Sequence, residues 1–163
     1  MKKIIVIGCP GSGKSRFSKE LHEKIGIALY HLDMMFWNED KTTVSKELFR
    51  ERLTSVLNRS EWIIDGNYAS TMELRLKECD TVFFLDYPLD VCLDGIKSRM
   101  GKKRSDMPWI ETEEDGEFIE FVKQFEALQR PKILSLLDSY KEKNVIIFKN
   151  RKEAEDFINE YKT

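Results

Sequence analysis

Eight residues near the start of the chain, GCPGSGKS from Gly8 to Ser15, fit the spacing G-x-x-x-x-G-K-[ST] at every fixed position. Glycines at both ends let the backbone approach a ligand closely, so the N–H groups of Gly11 to Ser15 can converge on phosphate oxygens. Lys14 would lie along the β- and γ-phosphates of a nucleotide, and the Ser15 hydroxyl would ligate Mg²⁺. The motif counts as evidence only between a strand and a helix. Here the apolar run Ile4–Ile7 precedes it, and a helix-like segment from Arg16 to Ile25 follows, with its positive dipole end at the cradle. The expected nucleotide-binding loop is therefore Gly8, Cys9, Pro10, Gly11, Ser12, Gly13, Lys14, Ser15 and Arg16.

Phosphoryl chemistry also needs acids near the metal. Three aspartates follow apolar runs: Asp33 after ALYHL, Asp65 in WIIDGNY and Asp86 in VFFLDYP. In a parallel sheet all three would stand beyond the carboxyl ends of strands, where such sheets bind ligands. They are expected to crowd one crevice, where any one of them could hold the metal's water shell. His31 lies inside a strand pattern and reads as a packed or hydrogen-bonded histidine rather than an acid–base group. Phe36 and Trp37 read first as packing aromatics. Cys9 sits beside polar neighbours and a helix start that could lower its pKa, making it oxidisable rather than catalytic, but the inert reading is favoured.

The elements that must position these groups alternate. Short apolar runs at Lys3–Ile7, Ala28–Leu32, Trp62–Ile64, Thr81–Leu85 and Val145–Phe148 predict strands. Amphipathic stretches at Lys14–Ile25, Lys46–Leu57, Leu89–Met100, Gly116–Tyr140 and Lys152–Tyr161 predict helices. That alternation implies a parallel α/β sheet with helices on both faces. Pro131 should kink or split the long helical pattern near Gln129–Arg130. The charged, aperiodic stretch from Met100 to Gly116 reads as a mobile loop or lid.

The 163 residues suffice for one domain, expected to span the whole chain. A formal net charge of -2 offers no general attraction to nucleic acid. No apolar run has the length of a membrane span, and three cysteines without a C-x-x-C pair fit a reduced, cytoplasmic setting.

The combination GCPGSGKS, YHLDMMFW, WIIDGNY, DTVFFLDYP and Arg130–Pro131 resembles the bacterial topology modulation proteins, a branch of the adenylate kinase and shikimate kinase superfamily. The resemblance implies the P-loop NTPase fold with strand order 2-3-1-4-5, an Mg·ATP site and an arginine-bearing lid. It matches Asp65 to the aspartate that holds the metal through water, and Asp33 to one used on metal or acceptor. Arg99 matches an arginine bordering the lid, Arg104 lies within the lid, and Arg130 matches one from the helix after it. Asn150 and Arg151 match the loop against adenine. Nucleoside monophosphate kinases continue their DG with Phe-Pro-Arg, whereas this chain continues with Asn67, Tyr68 and Ala69.

These residues together predict a Mg²⁺-dependent transfer of the ATP γ-phosphoryl group to a small acceptor. Lys14, Arg99, Arg104 and Arg130 would stabilise charge, and Asp33 would orient the acceptor. Two alternatives stand beside it: a nucleotide-dependent switch with weak ATPase activity, and a nucleoside monophosphate kinase.

Overall fold

The computed structural model describes residues 1–162. Along them run β1 (Lys3–Gly8), α1 (Lys14–Ile25), β2 (Leu29–His31), α2 (Leu32–Phe36), α3 (Lys46–Leu57), β3 (Trp62–Asp65) and α4 (Ala69–Glu78). Then follow β4 (Thr81–Leu85), α5 (Leu89–Arg99), α6 (Gly116–Leu128), α7 (Arg130–Asp138), β5 (Asn144–Phe148) and α8 (Arg151–Glu160). The strands form one five-stranded parallel sheet flanked by helices, as the alternation of the sequence implies, in the order β2-β3-β1-β4-β5 that the family resemblance implies.

Burial explains why the central strands are apolar along their length. Ile5 of β1 pairs with Ile64 of β3 on one side and Val82 of β4 on the other, and all three are fully buried. A strand covered on both faces has no polar face to present. On the β4–β5 side the core is aromatic: Phe17 of α1 meets Phe83 at 5.0 Å, and Phe148 and Phe157 close the group.

Local chemistry sets the helix ends. Ser45, Asp115 and Asn150 each accept a hydrogen bond from a first-turn N–H of α3, α6 and α8. Helix α1 differs, because its N-cap is Gly13 in the left-handed region, with no side chain capping the first turn. The orphan N–H groups at that end are left for a ligand. Pro131 falls in the first turn of α7, and the long helical pattern divides at Gln129. Two helices lie where the sequence showed no clear period, α2 and α4.

Helix α5 crosses the cradle at a distance that only two glycines permit. A Cβ on Gly11 would lie 2.0 Å from the Cys92 carbonyl oxygen, and one on Gly95 would lie 1.9 Å from the Gly11 oxygen. Gly11 also holds a φ of +83°, which disfavours any side chain there.

Candidate active site

The loop between β1 and α1 folds around its own lysine. Lys14 Nζ donates to the carbonyl oxygens of Gly8 at 3.0 Å and Cys9 at 3.3 Å. Burial pushes the Lys14 pKa down, while the carboxylates of Asp65 and Asp33 pull against it. A desolvated ammonium held by two carbonyls is a cation kept ready for a stronger anion. Ser12 is buried with its hydroxyl unpartnered. Arg16 is exposed and paired with Glu20 at 2.9 Å.

Two of the three aspartates meet beside Lys14. The β2–β3 register sets His31 opposite Asp65, and His31 Nδ1 lies 3.0 and 2.9 Å from the two oxygens of that carboxylate. Burial disfavours the imidazolium, but the Asp65 hydrogen bond and charge outweigh it, so the His31 pKa is raised. Asp65 is thus oriented by a neighbouring histidine, a role the sequence did not reveal. Asp33, in the first turn of α2, accepts a 2.5 Å hydrogen bond from the Tyr68 hydroxyl. Burial raises the Asp33 pKa, with Tyr68 and Lys14 opposing the rise.

The DGNY turn ties these parts together. The Asn67 carboxamide accepts from Gly8 N–H at 3.1 Å and donates to Gly8 C=O at 2.7 Å, clipping β3 to the start of the cradle. Tyr68 sits at a φ of 40°, in the left-handed region. Arg75, fully buried in α4, stabilises that conformation by donating to the carbonyls of Gly66, Asn67 and Tyr68. Its guanidinium is therefore committed to the backbone. Arg52 reaches the Met35 carbonyl at 2.8 Å, and Arg50 is exposed.

The segment between α5 and α6 lies over the cradle. Arg99 and Arg104 share the Glu111 carboxylate, at 3.3 and 3.0 Å. Burial and the nearby Arg104 charge lower the Arg99 pKa. Asp106 of the same segment accepts a 2.9 Å hydrogen bond from Ser15 Oγ. Trp109 makes an edge contact with Trp37, ring centres 5.1 Å apart. Lys102 and Lys103 are exposed.

Other expected residues lie elsewhere. Asp86 does not join Asp33 and Asp65: its carboxylate is held by Arg130 at 2.8 and 2.9 Å and by Lys149 at 2.5 Å. Those cations hold the Asp86 pKa low against its burial. Arg130 is correspondingly engaged with Asp86, in a cleft of about 390 Å³ that Cys9, Tyr87 and Phe125 help to line. The Cys9 thiol is buried, and a hydrogen bond with Cys92 together with that burial holds its pKa far above the ordinary value. This agrees with the inert reading of the thiol, because protein rather than solvent surrounds the sulfur. Asn150 caps α8, and Arg151 lies 3.5 Å from the Gly11 carbonyl, which puts the β5–α8 loop beside the cradle.

The donor set suits Mg²⁺. Ser15 supplies a hydroxyl, and Asp33, Asp65 and Asp106 supply carboxylates, all of them hard oxygen ligands. Among the described residues no three His, Cys, Asp or Glu side chains are grouped to enclose an ion directly. Magnesium usually keeps several waters and binds through substrate phosphates with one or two carboxylates, which such a site allows. Among the same residues no helix is long and apolar enough to cross a membrane.

Comparison with known proteins places these features in context. The chain is 31% identical over 119 residues to an adenylate kinase of Thermosipho melanesiensis, a match covering 69% of this chain and 54% of that enzyme. It is 27% identical over 113 residues to a shikimate kinase of Persephonella marina, covering 60% of this chain and 68% of the relative. The crystal structure of shikimate kinase from Bacteroides thetaiotaomicron superposes with a TM-score of 0.61 at 21% identity, over 96% of this chain and 93% of that one. No protein-family model matches the chain.

Proposed function

We propose that this chain, a protein of the P-loop kinase superfamily by fold and by its adenylate and shikimate kinase relatives, transfers the γ-phosphoryl group of Mg·ATP to a hydroxyl of a small-molecule acceptor. The observation that carries the reading is the arrangement around Lys14: a phosphate-binding lysine with Asp33 and Asp65 both acting on its charge. A cradle alone binds phosphate. A buried carboxylate beside it can also orient the group that attacks.

The roles follow from the geometry. Lys14 would exchange the carbonyls of Gly8 and Cys9 for β- and γ-phosphate oxygens, joined by the free N–H groups at the start of α1. Ser15 and Asp65 would hold the metal, Asp65 through water with His31 fixing its carboxylate. The ion would neutralise charge between the β- and γ-phosphates. Asp33, buried and held by the Tyr68 hydroxyl, with its pKa raised by burial, would accept the hydroxyl proton of the acceptor. Arg99, at the end of α5, and Arg104, in the segment above, would stabilise the transferring group, while that segment excludes water. Arg151 beside Gly11 would border the nucleotide. Arg130 anchors Asp86 and takes no part in the transfer.

The DGNY turn bears on the acceptor. Arg75 spends its donors on three carbonyls, so that turn presents no guanidinium to a phosphorylated substrate. This favours an unphosphorylated acceptor over a nucleoside monophosphate. The YHLDMMFW and WIIDGNY elements support the topology modulation branch of the superfamily.

The test is ADP release from Mg·ATP alone and with a panel of nucleoside monophosphates, nucleosides and small polyols, for wild type and Lys14→Ala. Stimulation by one hydroxyl compound, lost in the variant, is the expected result. A slow rate blind to every acceptor would favour a nucleotide-dependent switch. Stimulation by nucleoside monophosphates alone would make the chain a nucleotide kinase.

A further inference from the structure

Asp106 belongs to no motif. It lies in the charged, irregular stretch between α5 and α6, where aspartates ordinarily face solvent, yet it is only 8% exposed. Burying a carboxylate costs several kcal/mol unless its oxygens find donors, so its partners matter. One oxygen accepts from Ser15 Oγ at 2.9 Å. The other lies 3.5 Å from Arg104 Nε. Arg104 in turn donates to Glu111, which also holds Arg99. A continuous chain of contacts thus runs from the cradle hydroxyl, through Asp106, to the end of α5.

Ser15 is the residue whose hydroxyl the cradle motif offers to a metal. Magnesium–oxygen bonds are about 2.1 Å long, and a hydrogen bond between oxygens is about 2.7–2.8 Å. An oxygen already 2.9 Å from Ser15 Oγ therefore lies within hydrogen-bond reach of waters on any ion that Ser15 ligates. It also accepts the Ser15 hydroxyl hydrogen, which leaves the lone pairs of that hydroxyl oxygen free for a cation. Arg104 keeps this carboxylate from being an isolated buried charge.

We propose that Asp106 is a positioning residue of the metal–nucleotide site, delivered by the α5–α6 segment: it orients the Ser15 hydroxyl and accepts hydrogen bonds from the metal's water shell. The proposal rests on the Mg·ATP reading above. It ties the α5–α6 segment to the metal site, and the same contacts hold Arg104 and Arg99 beside the cradle.

The experiment measures Mn²⁺, a spin-active stand-in for Mg²⁺, by electron paramagnetic resonance in the presence of a non-hydrolysable ATP analogue. Wild type, Ser15→Ala, Asp106→Asn and Asp106→Glu are compared, with folding followed by circular dichroism. Analogue affinity without metal is measured in parallel. Asp106→Asn should weaken Mn²⁺ binding about tenfold, the size typical of lost outer-shell partners, while metal-free analogue affinity stays within about twofold. Asp106→Glu, which keeps the charge, should recover part of the loss; it also carries the comparison should the Asn variant unfold. Unchanged or tighter Mn²⁺ binding in Asp106→Asn would overturn the proposal, the tighter result making Asp106 a latch that the metal must displace. If Ser15→Ala weakens Mn²⁺ and Asp106→Asn does not, only the role of Asp106 fails. If Ser15→Ala leaves Mn²⁺ binding intact, the Mg·ATP reading itself fails, and the proposal with it.

Discussion

The carboxamide of Asn67 bonds both backbone groups of Gly8, accepting from its N–H at 3.1 Å and donating to its carbonyl at 2.7 Å. One side chain thus joins the turn after β3 to the first residue of the phosphate loop. The same Gly8 carbonyl accepts from Lys14, so Asn67 helps fix the oxygen on which the lysine rests. The DGNY sequence, with no arginine at this point, is explained as a structural clip.

Removing the clip should loosen cradle and fold together. Asn67→Ala leaves a partly buried N–H unpaired and should cost about 1–3 kcal/mol in urea unfolding. Nucleotide affinity should fall as well. Asn67→Asp retains an acceptor for the Gly8 N–H but sets a carboxylate against the Gly8 carbonyl, and should be no better than Ala. A variant with wild-type stability and affinity would show that the clip carries nothing.

Arg99 and Arg130 should separate cleanly in kinetics. Arg99 is near enough to Lys14 to affect its charge, whereas Arg130 is bound to Asp86. Arg99→Ala is expected to lower kcat by up to ~10³-fold, the lower end for an arginine that stabilises the transferring group. Arg130→Ala should leave kcat within a few-fold and reduce stability by about 1–2 kcal/mol, since Arg130 is partly exposed and Lys149 still holds Asp86. The Asp86 pKa is depressed in the folded state, so its stabilisation is complete above the unfolded carboxylate range and is lost as pH falls through the folded pKa. Arg130→Ala should therefore show a shallower loss of stability on acidification. Equal kcat losses in the two variants would contradict this division.

The pH–rate profile should report Asp33. A base must be ionised to act, so kcat/KM should rise through a pKa above the ordinary carboxylate value, because burial raises that of Asp33. The Tyr68 hydrogen bond favours the ionised form. Tyr68→Phe should accordingly shift the acid limb to higher pH, and Asp33→Asn should lower kcat by about 10²–10⁴-fold. An acid limb that stays in place in Tyr68→Phe would assign it to another group.

Much of this was legible in residue order, and the gaps have physical causes. The central strands announce themselves because burial on both faces demands unbroken apolar runs, and Pro131 marks the helix break because it lacks a donor. Helix α2 is one short turn without room for a period. Helix α4 carries Arg75 on its buried face, where a periodic reading looks for an apolar residue. Asp33, Asp65 and Asp86 look alike as strand-end aspartates. What separates them is a partner far along the chain: Arg130 for Asp86, 44 residues on, and His31 for Asp65, 34 residues back. Asp106 was hidden among surface-like charges because its partner Ser15 is 91 residues away. Spacing reports what one element places together, and long-range pairs of this kind lie outside it.

The most direct test of phosphoryl transfer follows the phosphorus itself. With γ-labelled ATP, Mg²⁺ and the stimulating hydroxyl compound, the label should move into the acceptor in a single turnover. Lys14→Ala should abolish the transfer, and Asp33→Asn should slow it while nucleotide binding persists. Label appearing only as inorganic phosphate, at a rate indifferent to acceptor and to Asp33, would contradict the account and leave a nucleotide-hydrolysing switch in its place.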